Sequence, residues 1–407
     1  MKILFITLAI KDLTGNGLYV DLLRELKNRE NDVYVVCPVE RRYKESTNLI
    51  VEESISFLRA KTGNITKTNF IEKGISTLLI EKQFTKSIKS FYCDICFDLV
   101  IYTTPPVTFE KVINYVKKRD KCLSYLVLKD IFPQNAVDLE ILKKTGVLYK
   151  YFRMKEKKLY NISDYIGCTS NRNIEYVKKH NPEINPSRIE LFPNSVLPRS
   201  LKSRNVDIND KKKKYGIPMD SIIFVYGGNI GRPQGIDFIK KVITRVDEKD
   251  NLFFMIFGSG TDFNNLSNFI NKSGFHNVNI MQGLSKDEYW DFLTCCDVGL
   301  IFLDSRFTVP NTPARLTYYM EAELPILAAT DKHTDIEDIL KEANCGFWVE
   351  SGDIENFYSK VDLLLSNPEL RDELGKNGRK YMENNFHISR NYEVLMNHLK
   401  LGEHKNV

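Results

Sequence analysis

No apolar run in this chain approaches the roughly 20 residues needed to cross a bilayer, so any membrane contact is expected to be peripheral. Histidine is scarce and displaced. All six lie from His180 onward, which leaves most of the first half without an imidazole base. Eight cysteines are scattered with no repeating framework, which argues against a disulfide-stapled scaffold and fits a reducing compartment. Cys93-Asp-Ile-Cys96 has the spacing of half a zinc site or a redox pair, but no second Cys/His pair at a matching interval accompanies it. Cys295-Cys296 reads as a helix end packing into the core. A strong charge of either sign is also missing. The 58 basic and 53 acidic residues leave a net charge of +5, too little to suggest a duplex nucleic-acid binder. There are no internal repeats.

The chain is nevertheless well supplied for folding: 407 residues, 43% hydrophobic and 27% charged, enough for more than one soluble domain. The opening Met-Lys-Ile-Leu-Phe-Ile resembles a leader, yet its apolar run stops at Lys11-Asp12 without a small-residue cleavage site, so it is expected to be a first buried strand. Strand-like runs then alternate with amphipathic helical windows throughout, predicting an α/β chain with parallel sheets covered on both faces. Strands are expected over 3–9, 32–37, 99–102, 123–127 and 166–169, with helices over 17–27 and 108–118. Between them, 46–82 is broken by Asn, Lys and Thr and is expected to be a partly mobile excursion. The passage 191–198 followed by the polar stretch 199–214 reads as an interdomain linker. A second set of strands is expected over 221–226, 252–258, 278–282, 298–303, 325–329 and 346–349. Helices are expected over 236–246, 261–272, 286–295, 315–321, 336–343 and 354–366. The chain is then helical to its end, with a break at Phe386-His387. The domains are expected to be 1–198 and 199–385, with 386–407 a helix crossing back to the first.

Two loops carry the strongest chemical signal. In Asn311-Thr-Pro-Ala-Arg-Leu-Thr-Tyr318, Pro313 suits the first position of a helix whose free backbone N–H groups attract anions. In Val225-Tyr-Gly-Gly-Asn-Ile-Gly-Arg-Pro-Gln-Gly235, an apolar strand runs through a glycine turn into another helix start. Two anion-receptive turns in one half of the chain point to a nucleotide diphosphate. Open α/β sheets bind ligands at the carboxyl ends of their strands, so two such units are expected to face each other across a ligand cleft. A third segment, 143–160, interleaves Lys and Arg with Leu148, Tyr149, Tyr151, Phe152 and Leu159. It is either an amphipathic helix that meets anionic headgroups or a solvated helix whose aromatics are core.

Gly227–Gly235, Phe257-Gly-Ser-Gly260, Met281-Gln-Gly-Leu-Ser285, 313–329 and 368–386 resemble, in order and spacing, the nucleotide-sugar domain of family 4 glycosyltransferases. Asp98-Leu-Val-Ile-Tyr-Thr-Thr-Pro-Pro106, Asp130-Ile-Phe-Pro133, 164–170 and Phe192-Pro-Asn194 resemble first-domain landmarks of the branch that builds bacterial surface polysaccharides. The resemblance covers nearly everything outside 46–82. It implies the two-Rossmann-domain GT-B arrangement, a retained anomeric configuration and no metal or other cofactor.

Departures from that pattern are as informative. Where many members place an Arg and a Lys around the diphosphate, this chain has Asn229 and Gln234, leaving Arg232 as the one cation of its glycine loop. Where many place two glutamates, it has Pro310 and Tyr318. Pro313-Ala-Arg315-Leu316 is similar to a sub-branch in which Arg315 supplies the missing charge, and a guanidinium fork suits phosphate oxygens. Neutralising the departing diphosphate is the main electrostatic task of the reaction. By the same resemblance Gly15, Asn16 and Gly17, Gly228 and Gly258 allow close approach to the donor, and the backbone of Gly283-Leu284 meets the nucleobase edge, favouring uracil. With no early histidine, Asp130 is the candidate to orient the acceptor hydroxyl, its alternative being a turn residue. Glu156 is a weaker candidate.

These features imply a hexosyl- or N-acetylhexosaminyl-transferase that moves sugar from a UDP-type donor onto a lipid-linked saccharide in capsule, exopolysaccharide or O-antigen synthesis. Such an enzyme is expected in the cytoplasm, peripheral at the inner face of the membrane. Two alternatives stay open. One is a UDP-sugar epimerase, which needs acid/base carboxylates and His in the first domain; the other is a non-catalytic partner subunit that has lost its glutamates and cations.

Overall fold

The computed structural model describes residues 1–66, 68, 70–201, 208–249 and 251–403. The expectations for 46–82, for the linker 199–214 and for the terminal helix therefore fall in part on residues 67, 69, 202–207 and 404–407, which lie outside the described residues. Two compact units emerge, one of Met1–Val196 with the segment from Ile388, the other of Leu197–His387.

The first unit's sheet is built from β1 (Lys2–Ile6), β2 (Asp32–Glu40), β3 (Asn48–Glu52), β4 (Ile55–Thr62), β5 (Leu99–Thr103), β6 (Leu123–Leu128), β7 (Tyr165–Cys168) and β8 (Ile189–Leu191). They lie in the order β3-β4-β2-β1-β5-β6-β7-β8, all parallel except β3, which pairs antiparallel with β4. Every residue of β5, Leu-Val-Ile-Tyr-Thr, is buried, as a parallel strand covered on both faces requires. Three helices, Phe70–Phe91, Glu110–Asp120 and Val147–Ile162, lie side by side in one layer. Helices Leu18–Asn28 and Ile388–Glu403 pack against each other over the apolar side chains of β1 and β2.

Most of the described part of the expected excursion over 46–82 is in fact regular structure. Glu53 and Ser54 both take positive φ, +49° and +61°, closing a two-residue hairpin between β3 and β4. Helix Phe70–Phe91 follows.

The second unit's sheet holds β9 (Ile222–Asn229), β10 (Leu252–Ser259), β11 (Val278–Gln282), β12 (Val298–Phe302), β13 (Ile326–Thr330) and β14 (Gly346–Glu350), all parallel, in the order β11-β10-β9-β12-β13-β14. Its core packs Phe224, Phe254, Leu300, Phe302 and Leu327 against Ile239, Val242 and Phe357 of the covering helices. Here the strand and helix expectations match closely, down to helices Arg315–Glu321, Ile336–Ala343 and Ile354–Ser366.

In both units the sheet runs outward in two directions from a central pair, β1/β5 in the first and β9/β12 in the second. At such a switch point the loops leaving the carboxyl ends diverge and open a crevice. Of the motif residues, Gly15–Gly17 follow β1 and Gly228–Gln234 close β9 and its turn.

Candidate functional site

β9 ends in glycines because something occupies the space a side chain would take. Gly228 stands at φ +130°, and a Cβ there would sit 2.9 Å from Arg315 Nη2. The Arg315 guanidinium lies over the Tyr226 ring, 4.3 Å from its centroid, and its Nη1 is buried with no hydrogen-bond partner among the described residues. Tyr319 supports the strand, donating to Val225 O and accepting from Gly227 N at 3.2 Å each. A cation is thus held at the switch point with donor capacity to spare. Charge-assisted N–H donors in a fixed fork are suited to phosphate or carboxylate oxygens.

The surrounding loops are laced together by backbone bonds. Ile230 N donates to Ser259 O at 2.9 Å, Asp262 N to Ile230 O at 3.1 Å and Asp304 N to Pro233 O at 3.0 Å. Gly258 has a packing reason of its own, since a Cβ there would come within 2.1 Å of Gly228 O. Asn229 and Gln234, which stand where cations were expected by resemblance, bond to each other: Asn229 Nδ2 donates to Gln234 Oε1 at 2.7 Å, and Gly231 N donates to the same oxygen at 3.2 Å. They brace the turn. Arg232 begins the 3-10 turn Arg232–Gln234 and is exposed.

Pro313 does not occupy the first helical position. The helix begins at Arg315, and the turn opens with Leu316 N donating to Pro313 O at 3.1 Å. Arg315 is therefore the first helical residue; Leu316 is buried in the core and Tyr318 is half-buried. Gly283, exposed, and Leu284, half-buried, leave the end of β11, two strands away from β9 in the sheet.

Sequence reasoning missed Asp331. It follows β13 and is buried; Oδ1 accepts from His333 N at 2.7 Å and Thr334 N at 3.1 Å, while Oδ2 has no partner. Burial raises this carboxyl to about 6. Thr334 Oγ1 donates to Asn311 O at 2.7 Å, tying the segment to the loop that leads into Arg315. An Asp after a strand gives no sign in sequence of how deeply it is buried.

In the first unit the glycine turn is tied up internally. Arg24 Nη1 donates to Gly15 O and Asn16 Oδ1, both at 3.0 Å, and Nη2 to Leu13 O at 3.1 Å. Glu53 pairs with Arg24 at 2.7 Å, Glu52 accepts from Leu13 N at 2.9 Å, and Asp21 accepts from Gly17 N at 3.2 Å. Asp130 follows β6, half-buried, and burial raises its carboxyl above the ordinary range against the pull of Lys129. Lys129 was not foreseen. Burial lowers its ammonium to about 7, and Nζ donates to Asn194 Oδ1 at 2.7 Å. Glu156 is occupied, accepting from Arg153 at 2.6 Å and from the Tyr160 hydroxyl at 2.9 Å, as a core ion pair does.

The scarcity of early histidine is offset by the fold. Helix Ile388–Glu403 joins the first unit through Ile388 N to Val196 O at 3.0 Å and Asn391 Nδ2 to Pro193 O at 3.1 Å. It brings His398 onto Tyr165, ring centroids 3.5 Å apart, with Nε2 against both oxygens of Glu190 at 2.8 and 2.9 Å. Cys93 and Cys96 are exposed free thiols, and Cys295 is buried. Among the described residues no group of three or more His, Cys, Asp or Glu is arranged to hold a metal ion. No described helix is long and apolar enough to cross a membrane.

A pair of Rossmann-type units with parallel sheets is the GT-B glycosyltransferase fold. Residues 207–381 match the family model described as Glycosyl transferases group 1. Over 233 residues the chain is 26% identical to the probable glycosyltransferase WbjE of Pseudomonas aeruginosa, covering 54% of each protein. Over 185 residues it is 26% identical to the capsular polysaccharide biosynthesis glycosyltransferase CapM of Staphylococcus aureus, covering 44% of this chain and 47% of that one. The chain thus spans about half the length of the curated relatives it matches. Among solved structures, Anabaena Alr3699/HepE in complex with UDP and glucose superposes with a TM-score of 0.71 at 12% identity, covering 98% of this chain and 99% of that one.

Proposed function

We propose that this chain is a retaining family 4 glycosyltransferase that moves a sugar from UDP onto a lipid-linked saccharide during synthesis of a bacterial surface polysaccharide. One observation carries the reading: the unpartnered Nη1 of Arg315, held beside Gly228 at the β9/β12 switch point. A buried donor without an acceptor is costly, about 1–3 kcal/mol, and a diphosphate oxygen relieves that cost. In this reading Arg315 takes the charge of the departing diphosphate, Arg232 adds a weaker, solvent-screened contribution, and the Gly283-Leu284 backbone receives the base. The group 1 match, the similarity to the glycosyltransferases WbjE and CapM and the UDP bound in Anabaena HepE support it.

On the acceptor side, Asp130 positions the hydroxyl while the departing phosphate takes its proton, so no histidine is needed. The segment 143–160 supplies a peripheral membrane contact. Val147 is 82% and Leu148 57% exposed, Lys143, Lys144 and Lys150 are exposed close by in sequence, and Lys158 is exposed further along the same helix. Apolar side chains standing in water among lysines suit an anionic lipid surface. Incubation with radiolabelled UDP-sugars and membrane extract tests the function. Label should pass from one donor into a lipid-extractable product; no transfer and no donor hydrolysis across a full sugar panel overturns it. The Asn229–Gln234 bond, which fills the expected cation positions with neutral groups, favours a second reading as a non-catalytic partner. That reading predicts stable folding with no turnover of any donor.

A further inference from the structure

The first unit contains a groove that the donor site does not use, and we infer that it holds the phosphate-bearing apolar chain of the lipid-linked acceptor. The groove has a volume of about 1290 Å3 and runs between β4 and helix Phe70–Phe91. Ile75, Leu79 and Phe91 wall it although they are 55%, 48% and 39% exposed, an apolar surface left in water. Such a surface on a soluble fold marks a binding face.

Two further features narrow the occupant. The Thr62 hydroxyl and the Gln83 carboxamide oxygen line the groove, buried and with no hydrogen-bond partner among the described residues; Thr62 is 2% exposed. Unsatisfied polar atoms at that depth disfavour a pure hydrocarbon, because each needs a hydrogen-bonding group brought in by the ligand. Lys61 from β4 and Lys86 from the helix stand at the same groove, and no ion pair is formed by either among the described residues, whereas Arg41 and the Glu72 carboxylate on the same wall pair with each other at 2.7 Å. Two cations and a hydroxyl suit a phosphate, while the Ile75, Leu79 and Phe91 wall is wasted on a free inorganic ion. An apolar chain carrying a phosphate meets both demands.

Continuity with the basic helix supports the same occupant. Helix Glu110–Asp120 packs on one side against Phe70–Phe91 and on the other against Val147–Ile162. Phe84 stacks on Phe109 with centroids 5.7 Å apart, and Lys155 pairs with Glu110 at 3.6 Å. The groove's helix and the helix that carries exposed Val147 and Leu148 therefore belong to one layer.

This inference rests on the reading of the acceptor as lipid-linked. The test titrates the full chain with farnesyl phosphate below its aggregation concentration, with farnesol and inorganic phosphate as controls, followed by calorimetry. Farnesyl phosphate should bind with roughly micromolar affinity and farnesol at least about 10-fold more weakly, with no inorganic phosphate bound at millimolar concentration. Leu79→Glu and Lys86→Glu should each weaken farnesyl phosphate by about 10-fold, and Ile75→Glu on the same exposed face gives an independent variant should either fail to fold. Binding only above the aggregation concentration overturns the inference, as does equal affinity in wild type and folded variants. A UDP titration of the same samples reads the donor site separately. UDP bound without farnesyl phosphate removes the groove and leaves the transferase standing; farnesyl phosphate bound without UDP does the reverse.

Discussion

The two glycine turns at the two switch points look alike in sequence and differ in what their polar groups do. After β1, the turn through Gly15, Asn16 and Gly17 is bound to Arg24 and closed by Asp21, Glu52 and Glu53, so cation and anions neutralise one another. After β9, Asn229 and Gln234 brace the turn from within, and the nearby Arg315 keeps a buried N–H unspent. The acceptors of the first turn, Gly15 O and Asn16 Oδ1, are taken by Arg24, whereas the second turn lies beside a donor left over for an incoming anion. The difference lies in the neighbours each turn meets in space, not in the glycines.

Substitutions at four positions break or sharpen this contrast. Arg315→Ala should have the largest effect, lowering kcat/KM for donor turnover by about 100-fold or more, the scale of losing one preorganised donor to a charged leaving group. Arg315→Lys should recover only part of it, since an ammonium does not reproduce the fork. Gly228→Ala places a Cβ 2.9 Å from Arg315 Nη2 at φ +130°, so UDP affinity measured by calorimetry should drop by roughly 10-fold, with a stability loss of about 1–2 kcal/mol in urea melts.

Asp331 gives the third test. Its carboxyl is raised to about 6 in the folded chain from an ordinary value of 3.8. Between these values the native state binds more protons than the unfolded one, so this residue makes stability fall as pH rises from about 4 to 6. Asp331→Asn should flatten that part of the pH–stability curve and leave the protein the more stable of the two above pH 6, by about 1–2 kcal/mol. Arg24→Gln should have the smallest effect on the ligand. It should lower Tm by a few °C, roughly 2–4 °C, while UDP affinity stays within about 2-fold of wild type. A loss of UDP as large as that from Arg315→Ala would erase the contrast between the turns.

The sequence displayed most of the second unit because its signals are local. Buried strands such as Val298–Phe302 and Ile326–Thr330 are continuous apolar runs, and Ser285 with Glu288 forms a capping box that starts a helix where the pattern says so. The first unit hid more. Glu53-Ser54 closes the β3–β4 hairpin with neither the glycine nor the asparagine that announces such a turn, so both strands escaped notice. Helix Phe70–Phe91 presents Ile75, Leu78 and Leu79 to solvent, which blurs the amphipathic stripe that identifies a surface helix.

For the site, Arg315 was legible because a proline and a following strand framed it. The use of Arg24 on Gly15 and Asn16, the Asn229–Gln234 brace and the burial of Lys129 and Asp331 were not, because each depends on which neighbours the chain brings together. His398 shows the same limit at longer range, lying 208 residues from the Glu190 it contacts.

Calorimetric titration with UDP of the wild type and of Arg315→Ala, side by side, tests the central claim most directly. Binding in the micromolar range by the wild type, weakened at least about 10-fold in the variant, is the predicted result. No heat at millimolar UDP, or equal affinities in the two proteins, would contradict it.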